Sequence, residues 1–440
     1  MIDPTVSLST LGCKLNQYES DSIATTLRER GYEIVDGDAG IRIINSCTVT
    51  NRADRKSRNA LFRARRRGDG LVIITGCFAT GHMEELRREG VADIVVDNER
   101  KRYIPDIIDA YRNGEIIIPD SLEPDTFGFS TPDGRFHTRT NIKIQDGCDS
   151  FCSYCIIPHV RGAADSRPIS AVLSDIRTAV ARGSHEIVLT GVNMSRYKDE
   201  SVHFSALIEA VLALPGDFRL RISSLEPDGL DGAFFSLFTH PKMCPHLHLC
   251  IQSGSDKTLR AMNRGYSVAD FRTIARHLRD SDENFNLTTD MIIGFPGETE
   301  DDLAANIDIA REFRFGHIHT FPFSTREGTA ASRMPKQIPA QMKADWARRV
   351  REISGELTRE YRSRLTGSRE TVLVEKVFVR EGTRYASGLG EHYVPVEFPV
   401  PAGAVDSVRQ NTVHRVEVVT AGSTESGVSG ADSPLTGRIL

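Results

Sequence analysis

The first 115 positions alternate short apolar runs with longer polar stretches in which hydrophobic residues recur at helical spacing. Apolar runs of this kind predict strands, and the periodic stretches predict helices. In chain order they are 6–11 (strand), 18–30 (helix), 41–44 (strand), 53–67 (helix), 71–75 (strand), 83–89 (helix) and 94–96 (strand). Repeated strand–helix–strand units predict an α/β domain over residues 1–115, with a doubly wound parallel sheet.

A second alternation follows residues 116–138, whose three prolines and two glycines predict a linker. Its candidate strands are 141–144, 186–189, 219–222, 246–251, 286–293 and 317–321. Helical patterns such as 169–182 and 301–313 lie between them. Six strand–helix repeats predict a (βα) barrel, open or closed, in a central domain of residues 139–364.

A long charged helix is predicted over 341–364. The last segment, residues 365–440, follows it and has a different pattern of residues from the central domain. Valine-rich alternating runs at 371–374 and 413–419 are punctuated by glycine. This pattern predicts a small all-β barrel. We therefore expect three domains joined by one linker.

The charge and hydropathy of the sequence exclude several classes of protein. The 440 residues carry 55 basic and 60 acidic side chains, and the net charge of -5 excludes a uniformly basic coat for nucleic acid. The N-terminal MIDPTVSLSTLGC lacks the basic and apolar regions of a signal peptide, and no apolar run approaches the roughly 20 residues of a membrane helix. These features predict a cytoplasmic protein that does not enter a membrane. Clustered cysteines there are more typical of metal sites than of disulfides.

Three of the eight cysteines, Cys148, Cys152 and Cys155, lie in the segment GCDSFCSYC directly after a predicted strand. We call them the loop cysteines. Their C-x3-C-x2-C spacing can hold three corners of a cubic iron–sulfur cluster, whose usual complement is four cysteines. The missing fourth ligand would leave one iron open to a small molecule. A zinc site completed by His159 is the alternative, although zinc sites favour paired C-x2-C units.

Cys13, Cys47 and Cys77, the strand-end cysteines, each lie just past a predicted parallel strand, in STLGC, IINSC and VIITGC. Ligands of open α/β sheets bind beyond the carboxyl ends of the strands, so three successive strand ends predict one convergent site. This recurrence favours a second three-cysteine cluster, although each cysteine alone could be a structural thiol. Cys244 and Cys250 remain, and the apolar HLHLCI around Cys250 predicts a small buried hydrophobe.

The central strands end in polar or glycine-rich segments, which are TGVN (190–193), SSLEP (223–227), QSGSD (252–256) and GFPGETE (294–300). In (βα) barrels the chemistry lies at this C-terminal face. Glu226, Gln252 and Ser253 can hydrogen-bond amine, carboxylate or ribose groups there. One such segment could be an ordinary turn, but the ordered set behind the cysteine loop predicts a small-molecule pocket.

Residues 52–67 hold eight basic side chains against the single acid Asp54. A solvated helix face is the alternative, but this stretch follows Cys47 and would place a bound RNA beside the second cluster. The predicted RNA contacts are Arg55, Lys56, Arg63 and Arg66. The domain 365–440 has seven basic and nine acidic residues, which weakens the case for a phosphate-binding surface there.

These motifs together resemble the radical S-adenosylmethionine (SAM) methylthiotransferases over nearly the whole chain. TLGCKLNQYESD, INSCTVT and TGC resemble that family's auxiliary-cluster domain, and IQDGCDSFCSYCIIPHVRG resembles its radical SAM loop. CPHLHLCIQSGSDKTLRAMNRGY and TDMIIGFPGETEDD resemble its barrel signatures, and the C-terminal segment is similar to its TRAM domain, a small RNA-binding β barrel. QDGC, SSLEP and residues 324–335 most resemble members that act on N6-threonylcarbamoyladenosine, next to the tRNA anticodon at position 37.

The resemblance implies two 4Fe–4S clusters and SAM as cofactors. The loop cysteines would hold the SAM-binding cluster, and the strand-end cysteines would hold the auxiliary cluster. Tyr154 would pack near the SAM adenine. The residues implied to line the SAM pocket are Gly191, Asn193, Glu226, Gln252 and Ser253. No catalytic residue is implied beyond the cluster ligands.

Side-chain acids and bases cannot add a methylthio group to an unactivated aromatic carbon, so a cofactor must carry that chemistry. The resemblance implies that reductive cleavage of SAM gives a 5′-deoxyadenosyl radical, which takes hydrogen from C2 of the adenine. The auxiliary cluster would then deliver a methylated sulfur. The implied partners are tRNA and an external one-electron donor such as flavodoxin or ferredoxin.

Two alternative functions remain open at this point. A methylthiotransferase could instead act on an isopentenyl-type adenosine or on a ribosomal protein side chain, although the basic stretch 52–67 favours RNA. A non-catalytic, zinc-bearing RNA-binding protein is the more remote alternative. Iron and zinc content would separate it from the enzyme.

Overall fold

The computed structural model describes residues 3–134, 137–420 and 433–440. The elements of the N-terminal domain are β1 (Thr5–Thr10), α1 (Lys14–Glu29), β2 (Glu33–Ile34), β3 (Ile41–Ser46), α2 (Asn51–Arg66), β4 (Leu71–Gly76), α3 (Cys77–Gly81), α4 (Met83–Glu89), β5 (Ile94–Val95) and α5 (Ile104–Arg112). The strands form one parallel sheet in the order β2-β1-β3-β4-β5. β3 and β4 are buried along their whole length, as expected for a parallel sheet with both faces covered. The predicted doubly wound sheet is confirmed.

The register of this sheet brings three strand ends to one edge. Asn45 in β3 pairs with Thr10 of β1 on one side and with Thr75 of β4 on the other. Neighbouring strands lie about 4.8 Å apart, so the residues that follow β1, β3 and β4 emerge side by side. These residues include all three strand-end cysteines.

The segment 116–138, predicted to be a linker, has little regular structure but is packed onto the N-terminal domain. Phe129 is buried, and its ring lies 5.9 Å from the ring of Tyr18 in α1. Thr131 hydrogen-bonds Asp175 of the central domain at 2.8 Å. Prolines and glycines suppress helix and strand here, while the apolar anchor holds the segment in place. Residues 135 and 136 lie outside the described residues.

The elements of the central domain are β6 (Thr140–Lys143), β7 (Gln145–Asp146), α6 (Ile157–Arg161), β8 (Asp165–Ser166), α7 (Ile169–Ala181), β9 (Glu186–Thr190), β10 (Lys198–Asp199), β11 (Val202–His203), α8 (Phe204–Leu212), β12 (Arg219–Ile222), β13 (Ser224–Leu225), α9 (Gly232–Ser236), β14 (His246–Leu249), α10 (Asp256–Ala261), α11 (Val268–Ser281), β15 (Asn286–Ile293), α12 (Glu300–Phe313), β16 (His317–Pro322) and α13 (Ala340–Arg364). Two parallel sheets, β6-β9-β12 and β13-β14-β15-β16, adjoin through a bridge between Leu220 and Met243. Only Ser223 separates β12 from β13, which together occupy one strand position, so these seven strands form the six positions of the partial (βα)6 barrel that the sequence predicts.

Local sequence signals fix the outer helices of this barrel. α11 and α12 both begin with capping boxes, Ser267 with Asp270 and Thr299 with Asp302, which satisfy free backbone N–H groups of the first turn. Their apolar faces pack onto the strands in the largest hydrophobic core of the chain. The polar strand ends are thereby left facing the mouth of the barrel.

The C-terminal elements are β17 (Arg369–Arg380), β18 (Thr383–Leu389), β19 (Pro395–Pro399), β20 (Val413–Thr420) and β21 (Leu435–Ile439). They close into a five-stranded barrel in the order β17-β18-β19-β21-β20, around Val372, Val396, Phe398 and Val416. Part of the predicted domain 365–440, residues 421–432, lies outside the described residues. Within the described part of the chain, every helix is too short or too polar to cross a membrane.

Candidate active site

The loop cysteines line a cavity of about 340 Å³ at the mouth of the central barrel. Four of the predicted SAM-pocket residues share its wall, and they are Tyr154, Asn193, Glu226 and Gln252. The loop that carries the cysteines follows β7, while the other side chains come from the predicted polar strand ends. A cavity of this volume is in the range typical of small-molecule sites.

The other two predicted pocket residues, Gly191 and Ser253, are not in the lining of this cavity. Gly191 lines a second, neighbouring cavity. Ser253 is fully buried, and its hydroxyl donates to Asn306 Oδ1 at 3.2 Å in α12. Ser253 therefore supports the loop behind the cavity and does not belong to the described lining.

Arg264, which no sequence pattern indicated, contacts one of the loop cysteines directly. Its Nη1 donates to Cys152 Sγ at 3.0 Å, and its guanidinium pairs with Glu226. Burial raises the pKa of the nearby Cys155 thiol to about 12. A cation and a hydrogen bond at the sulfur atoms favour the thiolate that binds iron.

The structure also brings the strand-end cysteines together. Gly12 adopts φ +100°, and a Cβ at this position would lie 2.8 Å from Cys47 Cβ, so only glycine lets the loop of Cys13 approach so closely. Cys47 and Cys77 are buried, while Cys13 is exposed to the second cavity. Burial raises the pKa of Cys47 to about 11, and the nearby Cys77 and Cys13 add to the rise.

A buried charge cluster lies beside Cys77, between the N-terminal and central domains. It contains three cations and two carboxylates, namely Lys101, Lys143, Arg161, Glu19 and Asp146. Arg161 donates from Nε to Cys77 Sγ at 3.3 Å and from Nη1 to Asp146 Oδ2 at 2.9 Å. Burial alone would raise the pKa of Glu19, but Arg161, Lys101 and Lys143 outweigh burial and hold it well below its usual range. By formal charge the cluster has one cation in excess, and Arg161 brings positive charge into direct contact with Cys77 Sγ.

Neither cysteine triad is as compact as the set of ligands around a single zinc ion. Four thiolates around one zinc ion, at about 2.3 Å each, would lie within about 3.8 Å of one another. Among the described residues, three donor atoms come within 4.8 Å of one another at His248–Cys250–Asp290 and at Glu370–Glu391–His392, and at neither cysteine triad. Ligands at separate corners of a cube need this wider spacing. His159, the candidate fourth zinc ligand, is exposed and outside the cavity lining.

The second cavity, of about 580 Å³, lies between the two cysteine sites. Cys13 is in its wall, and Asp290 and Phe321 line both this cavity and the first one. His246 and His248 contribute to its floor, and burial lowers the pKa of His246 well below its usual range. A ligand in the second cavity would thus be adjacent to both sites.

The basic stretch forms α2, capped by Thr50, whose side chain accepts a hydrogen bond from Ala53 N at 3.1 Å. The predicted RNA contacts Arg55, Lys56, Arg63 and Arg66 are all exposed, and none has an acidic partner among the described residues. Arg58 and Arg65 differ, since they pair with Glu85 at 2.6 Å and Asp93 at 2.8 Å. Thr50 also lines the first cavity, so α2 begins at its rim.

Cys244 and Cys250 are both buried, as predicted for Cys250. Cys250 Sγ lies 3.9 Å from Asp290 Oδ2, at the edge of the second cavity.

Known protein families match two regions of the chain, one in the N-terminal domain and one in the central domain. Residues 5–97 match the family described as Uncharacterized protein family UPF0004, and residues 142–310 match the Radical SAM superfamily. The fold is similar to that of a radical SAM methyltransferase, TsrM, from Kitasatospora setae, with a TM-score of 0.52 and 15% identity over 73% of this chain and 75% of that chain. Radical SAM membership supports SAM and an iron–sulfur cluster as cofactors, in agreement with the spacing at the loop cysteines.

Two curated relatives match most of the chain. The threonylcarbamoyladenosine tRNA methylthiotransferase MtaB of Thermotoga maritima is 36% identical over 90% of this chain and 91% of its own length. The tRNA-2-methylthio-N(6)-dimethylallyladenosine synthase of Syntrophotalea carbinolica is 33% identical over 84% of this chain and 87% of its own length. These matches set aside the non-catalytic, zinc-bearing alternative. The chain belongs to the radical SAM methylthiotransferases of the MiaB/MtaB type and is a tRNA methylthiotransferase.

Proposed function

We propose that this enzyme transfers a methylthio group to C2 of N6-threonylcarbamoyladenosine at position 37 of tRNA. The observation that carries the proposal is the second cavity, which has Cys13 in its wall and shares Asp290 and Phe321 with the cavity of the loop cysteines. An adenine there would have its reacting carbon next to both the radical source and the sulfur source. Holding the reactants together in this way is the main contribution that a protein makes to such chemistry.

The choice of nucleoside rests on the relatives and on the cavity. The Thermotoga maritima relative, named for threonylcarbamoyladenosine, is slightly more similar than the Syntrophotalea carbinolica relative, named for dimethylallyladenosine. Most residues that line the second cavity carry a polar group, so a polar substituent would find hydrogen-bond partners there that a hydrocarbon substituent could not use.

Two 4Fe–4S clusters fit the donor sets. The loop cysteines would hold one cluster and the strand-end cysteines the other, supplying reductive SAM cleavage and the transferred sulfur respectively. Around the loop cysteines, Arg264 orients Cys152 and Glu226, while Asn193 donates to Ser150 Oγ at 3.2 Å and fixes the loop. Around the strand-end cysteines, Arg161 neutralises charge at Cys77. The excess cation beside Cys77 supports the second cluster in particular.

The expected binding partners follow from the basic surface of α2 and from the electron that reductive SAM cleavage requires. α2 presents its unpaired basic side chains next to the rim of the first cavity, where they would bind the RNA backbone. The C-terminal barrel would add contacts to RNA shape in the manner of a TRAM domain. An external one-electron donor such as flavodoxin or ferredoxin would complete the reaction, and a tRNA substrate favours a cytoplasmic location.

Mass spectrometry of the nucleosides tests this function directly. The iron-loaded enzyme, SAM and a reductant are incubated with tRNA carrying threonylcarbamoyladenosine and, separately, with tRNA carrying dimethylallyladenosine. We expect the 2-methylthio derivative of the first nucleoside and little or none of the second. Preferential modification of dimethylallyladenosine, or of a ribosomal protein side chain, would replace this proposal with one of the alternatives.

A further inference from the structure

The second cavity contains a lysine with no acidic partner. Lys14, the first residue of α1, lines the cavity and makes no ion pair with any described residue; its ammonium lies 5.3 Å from the centre of the Tyr393 ring. The first turn of α1 contains no acid, so its free N–H groups add to the positive potential of the cavity, while burial lowers the pKa of Lys14 below its usual value. The one carboxylate among the described lining residues, Asp290, is paired with His248 Nε2 at 3.1 Å. This cavity therefore favours an anion.

Buried polar atoms without partners point to the same part of the cavity. His246 stacks on Tyr393, with ring centres 4.6 Å apart, and its Nε2 is hydrogen-bonded to Thr288 Oγ1 at 3.2 Å. Its Nδ1 is buried and has no hydrogen-bond partner among the described residues, and the same holds for Asn286 Oδ1. An unsatisfied buried polar atom costs about 1–3 kcal/mol, which a ligand that hydrogen-bonds to it would recover. Lys14, Tyr393 and His246 thus form a continuous polar wall contributed by all three domains.

We infer that Lys14 selects the substrate by forming an ion pair with the carboxylate of the threonylcarbamoyl group. This inference rests on the proposed function. Threonine attached through its nitrogen keeps a free carboxylate and a hydroxyl, whereas a dimethylallyl group has neither. Lys14 Nζ binds the carboxylate, and the polar side chains of the cavity wall, such as Gln17 and Ser224, are available to the hydroxyl and the urea group. Because Lys14 follows Cys13, this contact fixes the nucleoside beside the strand-end cysteines.

The test compares two anticodon stem-loop RNAs that differ only in this charge. One carries threonylcarbamoyladenosine, and the other carries the same nucleoside with the threonine as its carboxamide. The iron-loaded full-length enzyme and its Lys14→Gln and Lys14→Arg variants are assayed for kcat/KM on both RNAs. We expect the wild type to prefer the carboxylate by roughly 10- to 100-fold, the range for a hydrogen bond to a charged group. Lys14→Gln should bring this ratio close to one, and Lys14→Arg should restore most of it.

Iron per chain is measured for every variant, and Lys198→Gln, an exposed lysine outside both cavities, is the matched control that should keep the wild-type ratio. An equal loss on both RNAs in Lys14→Gln would mean that Lys14 binds a phosphate or supports the fold, and would overturn the inference. A wild type that modifies both RNAs equally well would also overturn it, while leaving the proposed function in place. A wild type that modifies neither RNA would remove the proposed function and this inference with it.

Discussion

Glu19 is the residue on which the buried charge cluster depends. It is fully buried in α1 and pairs with Lys143 at 3.1 Å and with Arg161 at 3.1 Å, as well as with Lys101. Glu19→Gln would leave three cations facing one carboxylate. We expect it to lower the free energy of unfolding by about 3–5 kcal/mol, the usual cost of breaking a buried pair. Urea unfolding under anaerobic conditions measures this change.

Glu312→Gln is the matched control for this substitution. Glu312 pairs with Arg272, but both side chains are more than 40% exposed, so the loss should be under about 1 kcal/mol. Equal effects of the two substitutions would show that the buried cluster contributes no more than a surface ion pair.

For individual residues, the sequence indicates the candidate cysteine ligands better than it indicates the charged side chains around them. The strand-end cysteines follow from their position after successive strands, which is a local pattern. Arg161, Arg264 and Lys14 were missed, because an arginine or lysine that is buried by the fold looks in sequence like one that is solvated. A charged residue within an apolar run, such as Lys143 in NIKI, is the one signal that could have identified a member of the buried cluster.

α2 is the element that we expect to bind RNA. Replacing Arg55, Lys56, Arg63 and Arg66 by glutamine should weaken tRNA binding and flatten its salt dependence. Each lost phosphate contact lowers the slope of log K against log salt by roughly 0.7–0.9. Binding is measured by fluorescence anisotropy at several salt concentrations, with iron content checked in parallel.

The matched control replaces four exposed arginines that lie on, or directly after, the outer helices of the central barrel, which are Arg260, Arg276, Arg311 and Arg314. This variant changes the net charge equally but should keep the wild-type slope. If the two quadruple variants changed the slope equally, α2 would be a solvated face with no specific role.

The long strands and helices of the N-terminal domain were predicted closely except for α5 (Ile104–Arg112), which was missed, and the other differences among these long elements lie at their ends. α1 begins at Lys14, four residues before the predicted start, because the polar residues of KLNQ conceal a helical turn. β3 and β4 extend beyond the predicted ranges to Ser46 and Gly76, since the sheet buries polar residues as well as apolar ones. These extensions place Cys47 and Cys77 directly at the strand ends.

His392 joins the C-terminal barrel to the central domain and should make stability depend on pH. Its Nδ1 lies 2.6 Å from Glu370 Oε1 of β17, and its Nε2 lies 3.5 Å from Asp282 Oδ2. Burial alone would lower the pKa of His392, but the hydrogen bonds to Asp282 and Glu370 raise it to about 9. Unfolded histidine has a pKa of about 6.5. The stabilisation is therefore complete below about pH 6.5 and is lost as pH rises through about 9.

The measurement is the thermal unfolding midpoint of wild type and His392→Gln between pH 6 and pH 9.5. The free energy of unfolding of the wild type should exceed that of His392→Gln most at pH 6. This excess should shrink by an amount on the order of 3 kcal/mol toward pH 9.5. A difference that stays constant across this range would contradict the assignment of a charged His392.

At the scale of the whole molecule, the sequence predicts three domains but not how they meet. The second cavity takes its wall from all three, through Lys14, His246 and Tyr393. These residues are far apart in sequence, and no local pattern links them. The same holds for Arg326, which crosses from the central domain to bind Asp54 of α2 at 2.7 Å.

The central claim is that two separate cysteine sites divide the reaction between them. Cys13→Ala, Cys47→Ala and Cys77→Ala are each compared with Cys148→Ala, Cys152→Ala and Cys155→Ala. Both 5′-deoxyadenosine and the methylthiolated nucleoside are quantified from the same reaction, with substrate tRNA present. The two sites lie on different sheets, so loss of one should leave the other folded.

We expect the three strand-end variants to cleave SAM but to form no methylthiolated tRNA, whereas the three loop variants should form neither product. Normal methylthiolated tRNA from any strand-end variant would remove that cysteine from the sulfur-donating site. Wild-type production of 5′-deoxyadenosine by any loop variant would contradict the assignment of the loop cysteines.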